Sequence, residues 1–434
     1  MGREMKNSGI AWVHSIPTSW KIERNKNCFD CSKEIIGEKS DETQLLSLTT
    51  HGIKEKNPEE STGKVPESYD TYQTVEPNDI VMCLFDLDVS AVFSGISPFY
   101  GMISPAYKIL KCKNTILPRY ADYWFSFIFD GRKFKHYAKN LRYTLTYDEF
   151  ANLPIILPLV EEQTRIVSFL DNECSRIDDV IEKTKASVEE YKKLKQAVIT
   201  HTVTKGVSID KELVESGIDW IGKYPKDWRL IPFRHVLKER NEKNSPVKST
   251  ERLSLSIDLG VTLYSEKTTN LDRFKDDFEQ YKLAHEGDLV MNSMNMIVGA
   301  SGVSDYFGCV SPVYYTFYDD EKDHITAKFC EYIFRSKTML RVLFSLGKGI
   351  YAIVRGDDRV NTCRLKVAKE DLKNIIIPIP SIEEQREIVD YLNKKCEEIE
   401  NLIIKKQSFI DELENYRKEL VYEYVTGKKE VPHS

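Results

Sequence analysis

Apolar and aromatic residues recur every seven positions at Leu170, Ile177, Tyr191 and Val198, with Thr184 as the polar rung. Ile181 and Val188 fill the companion positions of a heptad seam, and Ile166 opens it. The pattern returns 222 residues later at Ile388, Leu392, Ile399, Leu413 and Leu420, with Lys406 as the polar rung and Ile403 and Ile410 as companions. Each copy predicts one long helix on the order of 60 Å. Such a rod cannot bury its stripe against itself, so the two copies pack on each other or on a partner's helix. Both rods start alike, with Pro158 followed by Glu161, Glu162 and Gln163, and Pro380 followed by Glu383, Glu384 and Gln385. The prolines fix an extended lead-in, and the acidic pair suits the positive end of the helix dipole.

Shorter patterns repeat as well. Ser8-Gly9-Ile10, Trp12, Pro17 and Trp20 have a twin in Ser216-Gly217-Ile218, Trp220, Pro225 and Trp228, offset by 208. These predict an irregular segment with packed aromatics. Leu46–Leu48 and Leu253–Leu255 read as buried strands, and a turn before Ile80–Met82 and Leu289–Met291 leads into another short strand. Ser94-Gly95-Ile96 through Gly101, Ser104 and Pro105 matches Ser301-Gly302-Val303 through Gly308, Ser311 and Pro312. Residues 120–140 and 329–348 read as helices, and 153–157 and 375–378 as strands.

The chain thus divides into a globular domain (1–157), a long helix (158–205), a second globular domain (206–379), a second long helix (380–427) and a tail (428–434). The fold class is α+β with an internal pseudo-two-fold repeat. A period above 200 residues marks a duplication of whole domains, unlike the short period of a solenoid. Anchor positions agree while the surfaces between them differ, so the copies have related but non-identical binding tasks.

Composition narrows the function. Over 434 residues, hydrophobic residues at 41% and charged residues at 30% describe a multidomain globular protein, with no run long enough to span a membrane. The N-terminus lacks a signal-peptide core, so a cytoplasmic location is expected. Nine cysteines are scattered, and Cys28-x-x-Cys31 has no second pair at zinc spacing, which favours reduced thiols. The net charge of −6 hides two basic windows. Residues 108–142 carry nine Lys or Arg against two Asp, and residues 335–366 carry eight against two. A local basic face is what phosphate binding needs.

With these repeats in place, the chain resembles the specificity subunits of type I restriction-modification systems. The resemblance rests on the double Pro-x-x-Glu-Glu-Gln-x-x-Ile-x-x-x-Leu helix start, each copy following a divergent domain. It implies that the globular domains are target-recognition domains and that the helices form an antiparallel coiled coil between them. It further implies that each domain reads one half of a bipartite site on double-stranded DNA. Two modification (methyltransferase) subunits and the restriction (translocase/nuclease) subunits are the implied partners. S-adenosylmethionine, ATP and Mg are then expected on those partners, with no cofactor or metal on this chain.

Candidate base and phosphate readers in the first domain are Arg132, Lys133, Lys135, Lys139, Asn140, Arg142 and Tyr143. In the second they are Lys348, Tyr351, Arg355, Arg359, Asn361 and Arg364, joined by the polar cluster Asn292, Ser293 and Asn295. Arg reaches guanine bidentately and Asn suits adenine. The sequence has no phosphate-binding loop around Gly347-Lys348-Gly349, no Asn/Asp-Pro-Pro-Tyr/Phe methyltransferase motif and no metal-spaced histidines, so a non-catalytic recognition subunit is expected. A coiled-coil adaptor binding proteins alone, a self-contained nuclease, and the recognition subunit of another multisubunit restriction enzyme stand as alternatives.

Overall fold

The computed structural model describes residues 3–57, 68–137, 143–267, 277–320, 323–350 and 364–432. The chain separates into two compact units, Met1–Lys185 with Ser408–Ser434 and Ala186–Gln407. Both divisions fall inside long helices, so each unit holds one globular domain and part of both rods.

In the first unit, a hairpin pairs Met5–Ile10 with Val13–Pro17. Strand Lys21–Arg24 then pairs antiparallel with Pro154–Leu157, which brings the start and end of the domain together. Between them lies a four-stranded antiparallel sheet in the order Phe29–Ser32, Lys108–Cys112, Ile80–Met82, Ser94–Ile96. The hairpin Leu46–Thr49 with Gly52–Glu55 and the pair Gln73–Val75 with Gly101–Ile103 complete the β layer. Helix Pro118–Asp130 covers the sheet, burying Tyr120, Trp124 and Phe125 completely.

Every one of these pairings recurs in the second unit. Leu213–Glu215 pairs with Lys223–Pro225, and Arg229–Pro232 with Ile376–Ile379. The four-stranded order becomes Lys238–Arg240, Tyr314–Tyr318, Leu289–Asn292, Ser301–Val303. The repeated glycines have a steric cause. A Cβ on Gly95 would meet Leu48 at 2.9 Å, and one on Gly302 would meet the Gly260 Cα at 2.9 Å. In both domains the hairpin therefore lies directly on the edge strand, where only glycine leaves room.

Three expectations are corrected. The tryptophan segments form antiparallel hairpins, with Gly9 taking positive φ at a bulge in the first strand and Gly217 and Gly222 taking positive φ in the loop of the second hairpin. The helix expected over 120–140 stops at Asp130, where Gly131 follows and a short 3-10 turn Lys133–His136 takes over. The helix expected over 329–348 is two helices, Ile325–Arg335 and Lys337–Leu346, because Ser336 sits in extended backbone and caps the second by accepting the Met339 N–H. This second helix, followed by the hairpin Gly347–Ile350 with Arg364–Val367, holds most of the extra length of the second domain.

The long helices run Val160–Lys205 and Ile382–Val425. In the first unit they run antiparallel, since Arg417 meets Asp178 at 3.0 Å and Lys185 meets Glu414 at 3.4 Å. In the second unit, Lys195 meets Glu400 at 2.6 Å and the Lys406 ammonium lies over the Tyr191 ring. These exposed ion pairs contribute little individually. The seam carries the contact. Ile166, Leu170, Ile177, Ile181, Ile410 and Leu420 are buried in the first unit, with Leu413 half-buried against them. Val188, Ile388, Leu392 and Ile399 are buried in the second, with Tyr191, Val198 and Ile403 half-buried. Ile166 and Leu170, like Ile388 and Leu392, also belong to the core of their own domain.

The described cysteines are free thiols. Burial, with Glu23 nearby, pushes the Cys28 thiol up to about 11 against a weaker opposing pull from Lys113. Near pH 8, about one Cys28 in a thousand is thiolate. Native protein should therefore resist alkylation at Cys28 and react fully once denatured, as peptide mass spectrometry would record; rapid native labelling would contradict the packing.

Candidate nucleic-acid interface

The repeated Glu-Glu-Gln is a joint between rod and domain. Glu162 accepts the Trp20 indole N–H at 2.9 Å and pairs with Arg3. In the second unit Glu384 accepts the Trp228 indole N–H at 2.9 Å and pairs with Lys211 at 2.7 Å. Gln163 is fully buried. Its carbonyl accepts the Leu117 N–H, and its amide donates to Thr115 O and Pro158 O. Gln385, also buried, donates to Pro380 O. Just over two helical turns on, the Tyr123 hydroxyl donates to Asp171 at 2.7 Å, and the Tyr332 hydroxyl to Asn393 at 2.6 Å. Burial raises both tyrosines above their ordinary range, which keeps them protonated donors. The motif thus fixes each domain on its own stretch of helix, and the globular surface beyond is free to vary.

That surface holds the candidate readers. Lys135 is exposed with its ammonium 4.8 Å from the Tyr143 ring centroid. Tyr143 takes positive φ at the edge of residues 138–142. Arg132 is tied down by its bond to Leu87 O at 2.6 Å and by stacking on Phe129. Lys133 sits 4.0 Å from the Phe127 ring, and burial lowers its pKa. Much of the first basic window is neutralised within the domain. Arg119 pairs with Asp122 and Asp171, Lys111 with Glu76, and Lys113 with Asp30. Lys139, Asn140 and Arg142 lie outside the described residues.

In the second unit, Lys348 and Lys366 face each other across the hairpin Gly347–Ile350 with Arg364–Val367. Both are exposed, and Lys348 also pairs with Asp371 at 2.9 Å. Arg364 begins the returning strand, while Tyr351, Arg355, Arg359 and Asn361 lie outside the described residues. The polar cluster divides. Asn292 and Ser293 are buried, with the Asn292 carbonyl accepting the Met294 N–H, whereas Asn295 is exposed. Of the three, only Asn295 stands where a base edge could reach it. The basic window counted Lys337 and Arg341, which are exposed, but the candidate readers left them out although their helical spacing was legible.

The domains also differ below the β hairpins. In the second unit, Arg335 pairs with the half-buried Glu331 and donates to Ile257 O at 2.7 Å, tethering the hairpin tip. In the first, a cleft of about 1090 Å³ opens between hairpin tip, domain helix and rods. Its lining mixes Arg119, Lys185 and Arg417 with Asp122, Asp178 and Glu414, an arrangement poorly suited to a polyanion.

A second, outward set of apolar residues runs along the rods. Leu402, Phe409 and Tyr416 follow heptad spacing on the second helix and are 41%, 44% and 52% exposed. The equivalent positions on the first helix are Val180, Ser187 and Leu194, of which Val180 and Leu194 are exposed. Among the described residues no cluster of His, Cys, Asp or Glu is placed to hold a metal ion, and no helix is long and apolar enough to cross a membrane.

A duplicated mixed α/β domain is thus jointed to long helices and exposes basic residues, Lys135 in one copy and Lys348 and Lys366 in the other. Residues 257–407 match the type I restriction modification DNA specificity domain. The chain is 24% identical over 287 residues to the type I restriction enzyme MjaVIII specificity subunit of Methanocaldococcus jannaschii, covering 64% of this chain and 63% of that protein. It is 22% identical over 332 residues to the putative MjaX specificity subunit of the same organism, covering 73% and 69%. The aligned part thus spans under two thirds of the MjaVIII subunit. A chain from a structure of type I R-M complex assembly shares the fold at a TM-score of 0.66 and 14% identity, covering 95% of this chain and 99% of that one. The family match thus lies in the second domain and the helix that follows it, while the fold is shared over nearly the whole chain.

Proposed function

We propose that this chain is the DNA-recognition subunit of a type I restriction-modification complex, each globular domain reading one half of a bipartite, asymmetric target. The observation that carries the proposal is the duplication itself. Every strand pairing of the first domain recurs in the second, with the same joint to the rod, yet the basic window forms a 3-10 turn in one and a hairpin in the other. A duplicated frame with divergent loops suits two unlike half-sites, much as dimeric readers match half-sites through their symmetry. The outward apolar residues on the rods supply a docking surface for two modification subunits, with restriction subunits completing the assembly. Chemistry resides on those partners, which would hold S-adenosylmethionine, ATP and Mg, while this chain supplies letters and spacing.

The test is co-expression with the methyltransferase encoded beside it, followed by mapping of adenine methylation across the host genome. One bipartite motif with a fixed gap is the expected outcome. A purified, stable complex that adds no methylation would overturn the proposal and return the chain to the adaptor reading.

A further inference from the structure

The central strand of each four-stranded sheet, Ile80–Met82 and Leu289–Asn292, runs out into a tight loop before the chain returns as the edge strand. In the first domain Cys83 N–H bonds Phe93 O at 2.7 Å to close the loop, and Val89 N–H bonds Asp86 O at 3.1 Å at its tip. In the second, Asn292 N–H bonds Ala300 O and Val298 N–H bonds Asn295 O, each at 3.1 Å. The inner side chains anchor the loops, with Leu84 and Leu87 buried in one and Met296 and Ile297 in the other.

The outer side chains are apolar too. Phe85 is 36% and Val89 78% exposed; Met294 is 39% and Val298 49% exposed. The two pairs occupy equivalent positions, both offset by 209 residues, in domains whose surfaces otherwise diverge. Single exposed apolar residues need no explanation, but the same two positions exposed in both domains do. Both loops are also stitched to the segment that follows the basic window. Leu145 N–H bonds Leu84 O at 2.8 Å, and Val367 N–H bonds Ser293 O at 3.0 Å. Arg132 adds its bond to Leu87 O in the first domain. Asp86 N–H also bonds the Thr144 hydroxyl, so the first loop lies against the segment that follows Tyr143, with Phe85 resting on the Tyr107 ring at 5.8 Å, and the second lies against the strand that carries Lys366.

Resting on the recognition reading above, we infer that Phe85 with Val89, and Met294 with Val298, are apolar base contacts that read thymine C5-methyl groups in the major groove. Phosphate contacts position a protein and carry no letters, whereas the thymine methyl is the apolar feature of the groove that distinguishes one base. The exposed Asp88 within the first loop disfavours a seat along the phosphates and suits one over base edges. Phe85 is broad and rigid and Met294 narrow and flexible, so equivalent positions read different half-sites.

The experiment uses the full chain in complex with its methyltransferase and duplexes carrying the mapped target. Each thymine is replaced singly by deoxyuridine, which deletes one methyl, and binding is titrated by fluorescence anisotropy. The wild-type complex should lose about three- to tenfold in affinity at one or two positions per half-site. Phe85→Ala should erase that sensitivity in one half-site only, and Met294→Ala in the other; Phe85→Leu should retain part of it. Variants that keep the wild-type methyl profile overturn the inference. So does loss of the methyltransferase from the Phe85→Ala complex, which would make the contact a protein one. Equal binding of target and scrambled duplexes by the wild-type complex would instead overturn the recognition reading itself.

Discussion

Replacing Phe409 and Tyr416 together by Asp should abolish co-purification of the methyltransferase while leaving this chain folded. Both rings are about half exposed on the second long helix, one heptad apart, on the flank of the seam that buries Ile410 and Leu420. Substituting them removes little core, so the loss in folding stability should be well under about 1 kcal/mol. At an interface, buried aromatic anchors contribute about 2 kcal/mol or more each. A charge placed where the partner is apolar adds a desolvation penalty on top. The pair should therefore weaken association by about a thousandfold or more, enough to empty a pull-down. Circular dichroism and thermal melts unchanged beside an empty pull-down would support the docking surface. An undiminished complex would place the partner on another face of the rods.

Replacing Gln163 by Leu should cost about 2–4 kcal/mol of stability in the first unit. The amide is fully buried and satisfies three backbone groups, Leu117 N–H, Thr115 O and Pro158 O, none of which leucine can serve. The penalty is mostly desolvation of groups left unpaired, because neither water nor the new side chain replaces the bonds. The matching change at Gln385 should cost less, since among the described residues its amide makes one such bond, to Pro380 O. Denaturant unfolding of the two variants tests the asymmetry; equal losses would contradict the geometry.

How far the sequence disclosed this molecule depended on what kind of signal each part sends. The rods were legible because a seven-residue ladder sustained over 46 and 44 residues admits one regular reading. Duplication was legible because anchors such as Trp20 and Trp228, or Gly95 and Gly302, answer to steric and hydrogen-bonding demands that recur. The function of the Glu-Glu-Gln motif was not. Dipole complementarity suggested itself for Glu162, but its indole partner lies 142 residues away, beyond any local pattern. Charge counting misjudged the basic windows for a related reason. Arg119 and Lys111 face carboxylates brought close only by folding, so counted charge exceeded displayed charge. Asn292 read as a groove contact because its burial comes from the sheet around it.

The joint between rod and domain has a consequence for how such a protein changes over generations. Each joint is built from a domain's own opening tryptophan and the helix start that follows that domain. A gene segment exchanged between two such joints would carry in a new set of loops together with everything needed to seat them. New specificity can thus arise by trading a whole domain in one recombination event, with no refitting of the helices by point mutation.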